Sequence, residues 1–139
     1  MDEKAFFKSV AERLQCDEQR AEAITFAVFQ ELCDRLTPTE VSHVAAQLSK
    51  PLKATWLSLD KPGRAVRKIH ESQFVGEVRR IAVLPDDAEA ERAVLAVFAA
   101  LQTALGSPTG REGEARDVFS QLPKDLKRLW LAAGQSGAA

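Results

Sequence analysis

At 139 residues and 15.2 kDa the chain can build one hydrophobic core or two tightly merged half-domains, but not two spacious ones. Its 45% hydrophobic and 28% charged residues are those of an ordinary globular chain, which argues against a disordered or fibrous one. Nineteen Lys and Arg against twenty Asp and Glu leave a formal charge of -1, and neither half is a polycation, so a life on phosphate contacts is disfavoured.

The opening MDEKAFFK carries no long apolar stretch of the kind a secretory signal needs. The longest apolar runs fall far short of the ~18 residues of a membrane span. The expected location is therefore the cytoplasm. A first helix is expected after Asp2, with Phe6, Phe7, Val10 and Leu14 at three-to-four spacing. Asp17 caps a second that runs to about Arg35, with Ile24, Val28, Leu32 and Leu36 on one stripe. TPTE at 37–40 is a strong start signal: Thr37 caps, Pro38 takes N1, and Glu40 at N3 closes a capping box. A third helix then runs to Leu48, and after Ser49 a short fourth carries Leu52, Trp56 and Leu57.

Pro62-Gly63 marks a turn, and residues 59–71 are expected to be a linker. A helix follows through FVGEVRRIAVL. Pro85 and Asp86 open a long one, capped by Asp86 with Glu89 at N3. GSPTG at 106–110 reads as a loop, Glu112 to Gln121 and Pro123 to Ala132 as two short helices, and 133–139 as a frayed tail.

The halves overlay. Phe6 and Val10 fall on Phe74 and Val78 at an offset of 68, and Ala27, Val28, Phe29 and Leu32 on Ala96, Val97, Phe98 and Leu101 at 69. After GSPTG the offset is 74, where nine of eighteen positions between 40–57 and 114–131 are identical: Glu40, Val44, Gln47, Leu48, Lys50, Leu52, Lys53, Trp56 and Leu57 each meet their own kind. Two unrelated amphipathic helices match in apolar class, but do not repeat Gln, two Lys and Trp at fixed spacing. The expected fold is all-α, an internally duplicated bundle of roughly eight helices. Repeats 3–58 and 72–132 would share one core, because a four-helix unit of roughly 60 residues is marginal alone.

The run FFKSVAERL, AEAITFAVFQELCDRLT and AQLSKPLKATW, echoed by FVGEVRRIA, AERAVLAVFAALQTAL and FSQLPKDLKRLW, resembles the family of small bacterial proteins catalogued as domain of unknown function 2267. The resemblance covers about residues 3–131. Its most specific piece is Q-L-P-x-x-L, matched by Gln121, Leu122, Pro123 and Leu126; the first half departs from it with Ser49 at the Pro position and Pro51 two further on. The resemblance implies an all-helical, duplicated protein of the bacterial cytoplasm and brings no catalytic residues with it.

Chemistry-bearing constellations are few. His43 sits in the third helix opposite Asp117 in the overlay, with Glu40 and Asp34 as its acidic neighbours. A metal needs three or four ligands, so His43 reads as a solvated or half-buried side chain, as does His70. Cys16 and Cys33 stand at the two ends of one helix, ~25 Å apart, so no disulfide joins them; free thiols fit a reducing compartment. Asp86, Asp87, Glu89 and Glu91 suit the first turn of a helix rather than a metal. Gly106, Gly110 and Gly113 follow no strand and read as turn residues, not a phosphate cradle. No catalytic residue, cofactor or metal ligand is assigned.

Lys61, Arg64, Arg67, Lys68, Arg79 and Arg80 form the visible basic concentration and a candidate anion-binding face. Trp56, Trp130, Phe29 and Phe98 are candidate anchors of a core or an interface. The leading expectation is a non-enzymatic helical protein-binding or scaffolding module, with a second copy of itself or another protein as partner. A nucleic-acid-associated or regulatory protein using residues 50–80 is the alternative, and an enzyme comes third.

Overall fold

The computed structural model describes residues 2–59 and 71–136. Among them the chain is all-α, with eight helices: α1 (Glu3–Leu14), α2 (Glu18–Cys33), α3 (Pro38–Ala46), α4 (Lys50–Ser58), α5 (Glu71–Ala82), α6 (Asp87–Ala104), α7 (Gly113–Gln121) and α8 (Lys124–Ser136). Asp2, Asp17, Thr37 and Asp86 each accept a hydrogen bond from the backbone N–H three residues on, which fixes the starts of α1, α2, α3 and α6. The second helix ends at Cys33 rather than near Arg35, because Arg35 and Leu36 donate to carbonyls three residues back and tighten the last turn.

α2 and α6 lie at the centre, with more than half of the residues of each buried. Ala90, Ala93, Ala96, Ala99 and Ala100 keep α6 slim enough for neighbours to close on it. Helices pack in reciprocal sets: α1 on α2 and α5 on α6, then α1 on α6 and α5 on α2, with α3 against α7 and α2 against α6. α4 sits on α2 and α8 on α6. The buried apolar side chains join into one cluster drawn from every helix.

Two aromatic columns stand within that cluster. Phe6 meets Phe29 at 5.6 Å and Phe29 meets the Trp56 ring edge-on at 5.0 Å. Phe74, Phe98 and Trp130 repeat the sequence at 5.9 and 5.1 Å. Both indoles are fully buried, and each N–H finds a carbonyl: Trp56 Nε1 donates to Val41 O at 2.8 Å, Trp130 Nε1 to Gly110 O at 2.9 Å. The tryptophan carbonyls accept from Cys33 Sγ (4.0 Å) and from Gln102 Nε2 (2.8 Å), positions that coincide at the offset of 69.

The helix ends match as well. Gln15 (φ 56°) and Val83 (φ 54°), 68 residues apart, both adopt the left-handed region. The next N–H then reaches back to Ala11 O or Arg79 O and closes the helix. Arg35 is buried and joins the halves: its guanidinium lies 4.8 Å from the Phe74 ring centre and donates to Glu31 O and Oε1.

Two expected boundaries are corrected. Residues 133–136 belong to α8, and Ala133 is fully buried. Gly134 does not end the helix; it lets the loop backbone sit on it, where a Cβ would come within 2.0 Å of Thr109 O. The expected linker narrows at its far end, since Glu71 already opens α5; residues 60–70 lie outside the described residues, as do 137–139.

Candidate functional site

Where α3 meets α7, residues of the two halves converge on a carboxyl pair. Thr37 Oγ1 accepts from Glu40 N at 3.2 Å, so half of the expected capping box forms. The other half does not. Thr37 N donates to Gln121 Oε1 (3.1 Å) from the opposite half, and the Glu40 carboxyl is released toward α7. Gln121 Nε2 in turn donates to Glu40 Oε2 at 3.4 Å.

Glu40 is only 4% exposed. Burial pushes its carboxyl up to about 8; a hydrogen bond with Glu114, then the charges of Glu114 and Asp117, push the same way. Glu40 Oε1 and Glu114 Oε2 are both buried and have no hydrogen-bond donor. His43 stands at the mouth, its side chain 59% exposed and Nδ1 3.8 Å from Glu40 Oε2. One ligand atom from each of Glu40, His43 and Glu114 lies within 4.8 Å of the others, a grouping that can hold a metal ion.

His43 is an exposed side chain, as expected, and beside Glu40 it meets Glu114, supplied by the other half. Glu40 and Glu114 are the identical pair of the 74-residue overlay, as Gln47 and Gln121 are, and that coincidence was the available signal. A helix cap explains Glu40 locally, so the sequence offered no reason to look across the chain.

The other candidates scatter. Trp56, Trp130, Phe29 and Phe98 are all fully buried. Lys61, Arg64, Arg67 and Lys68 lie outside the described residues. Arg79 and Arg80 are exposed and ion-paired, with Asp87 at 3.2 Å and Glu77 at 2.7 Å, so the described part of that basic face is offset by acid. In the acidic run, Asp86 caps α6, Glu89 pairs with Arg92 and Glu91 with Arg128. Cys16 is half-buried and Cys33 buried, and neither is in a disulfide; burial, then Asp17, raise the Cys16 thiol against the opposing Arg20.

A second feature escaped the sequence. Gly110, Arg111, Arg116, Phe119 and Leu131 line a cleft of about 300 Å³ between α7 and α8. It continues into a cleft of about 220 Å³ lined by Thr109, Arg111, Leu131, Gly134 and Gln135. Arg111 and Leu131 line both, so the two adjoin as one groove beside α8, where Phe119 and Leu131 are the apolar members and Arg111 and Arg116 carry guanidinium groups. No helix among the described residues is long and apolar enough to cross a membrane.

The model of the family described as uncharacterized conserved protein (DUF2267) matches residues 3–129. No curated protein matches the chain.

Proposed function

Since the chain belongs to the DUF2267 family, in a match that takes in α1 through much of α8, we propose that it is a non-enzymatic helical module of the cytoplasm that binds a protein partner. The observation that carries this reading is the groove along α8. Phe119 and Leu131 offer apolar contact, while Arg111 and Arg116 offer two planar donors for carboxylates. The occupant this chemistry fits is a segment in which an acidic side chain stands beside a large apolar one.

The module is built by internal duplication, with repeats 3–58 and 72–132 on one core. Support comes from the reciprocal helix packing, the paired aromatic columns and the left-handed ends at Gln15 and Val83. Two cysteines outside any disulfide fit the reducing compartment.

Selection from a random peptide display library tests the binding reading. It should enrich Asp or Glu next to Leu or Phe, and the enrichment should vanish with the Arg111→Glu/Arg116→Glu double variant. No enrichment, or the same enrichment by both proteins, would overturn it. Sedimentation of both proteins at micromolar concentration separates self-association: a dimer lost in the double variant would make the groove's occupant a second copy.

A further inference from the structure

We propose that the α3–α7 junction binds one first-row divalent metal ion of the zinc type, held by the carboxylates of Glu40 and Glu114 and the imidazole of His43. This goes beyond the groove along α8, whose lining includes none of these residues.

The case begins with what the junction lacks. Glu40 is more than nine-tenths buried, and its Oε1 faces inward with no donor; Glu114 Oε2 is buried in the same condition. A buried carboxylate oxygen without a donor costs free energy. Gln121 supplies one long bond to Glu40 Oε2 and leaves Oε1 untouched. Asp117 adds further negative potential from α7. A dipositive ion offsets this charge by taking one oxygen from each of the two carboxylates.

The donor set selects the kind of ion. Magnesium and calcium favour all-oxygen shells, whereas one imidazole nitrogen with two carboxylates suits zinc and its first-row neighbours. Bonds of about 2.0–2.1 Å in a tetrahedral site set ligand atoms about 3.3 Å apart. His43 Nδ1 and Glu40 Oε2 already stand at 3.8 Å, and all three ligand atoms lie within 4.8 Å of one another. The exposure of the His43 ring leaves it free to turn and gives the ion its entry path. A water completes the fourth position on that open side.

The overlay explains why there is one such site. Helices α3 and α7 are equivalent, so Glu40 faces Glu114 at their contact, with His43 on one flank and its counterpart Asp117 on the other. Substitution at a single repeat position turns a symmetric acid pair into a mixed nitrogen–oxygen set. The ion would also tie the two halves together, since it takes ligands from both.

Calorimetric titration of ZnCl2 into tag-free protein cleared of metal by a chelator tests this, alongside thermal unfolding with and without zinc. The expected result is one ion per chain and a raised unfolding midpoint. His43→Ala and Glu114→Gln should each weaken binding about tenfold or more and abolish the shift in midpoint, while Cys16→Ser changes neither. The exposed His43 is dispensable for folding, and the carboxamide introduced by Glu114→Gln can donate to Glu40 Oε1, so circular dichroism of both variants should match the parent. Should Glu114→Gln not fold, His43→Ala decides alone. Absence of stoichiometric binding, binding unchanged in His43→Ala, or binding lost in Cys16→Ser would each overturn the site.

Discussion

Replacing either tryptophan by alanine should cost the same and be felt everywhere. Each indole is fully buried, stands edge-on to a phenylalanine at 5.0 or 5.1 Å, and satisfies one backbone carbonyl. Loss of the ring and the cavity left behind cost ~3–5 kcal/mol. The carbonyl stripped of its donor, Val41 O or Gly110 O, adds about 1 kcal/mol. Against a typical total of ~5–15 kcal/mol, either variant would keep only part of its stability. Trp→Phe keeps most of the ring and loses the donor, so about 1–2 kcal/mol is expected there. The chain contains no Tyr and two Trp, so each single variant leaves one indole as an optical probe of the opposite half. Urea unfolding of W56A, followed by far-UV circular dichroism and by Trp130 fluorescence, should give coincident transitions at a lowered midpoint, and W130A followed through Trp56 should do likewise. A Trp130 signal that melts at the parental midpoint in W56A would refute the reasoning, because the halves would then be separate cooperative units.

Val83 is 79% exposed and held at φ 54°, where a β-branched residue is strained by ~1–2 kcal/mol. After the entropy glycine brings to the unfolded chain, Val83→Gly should raise stability by about 0.5–1 kcal/mol in urea unfolding. Gly134→Ala would drive a Cβ into the Thr109 carbonyl and should destabilise by about 1–3 kcal/mol, visible as a lowered thermal midpoint. In metal-free protein, stability should fall as pH rises from about 4 to above 8. Glu40 titrates near 8 in the folded chain but near about 4.3 unfolded, so the contribution of its protonated form is full below the lower value and lost through the upper one. Glu40→Gln should flatten that slope, measured as urea midpoints across the range.

What the sequence made legible was local or repeated. Asp2, Asp17, Thr37 and Asp86 cap helices through bonds that span three residues, so their meaning needs no tertiary knowledge. Trp56 and Trp130 stood out because identity at a fixed offset is improbable between unrelated helices. The frayed tail was expected to start at residue 133, four residues too early, because the contact of Gly134 with Thr109 that marks the last turn as packed is not local. Val83 could not be foreseen as left-handed from its own chemistry; only its place opposite Gln15 marks it. The Glu40–Glu114 pair was hidden for a different reason. Each glutamate has an adequate local explanation near a helix start, and their meeting depends on how α3 crosses α7, which periodicity does not specify. Arg35 was likewise taken for a helix end, although its guanidinium stacks on Phe74 of the other half.

The claim on which the rest depends is that neither repeat completes a core alone: α1 needs α6, and α5 needs α2. Fragments 1–70 and 71–139, prepared separately and then mixed at equal concentration, put it to the test by far-UV circular dichroism. Each alone should lack cooperative unfolding, and mixing should restore helical signal together with a single urea transition. Two fragments that each fold and melt cooperatively on their own, with spectra that merely add on mixing, would contradict the shared core.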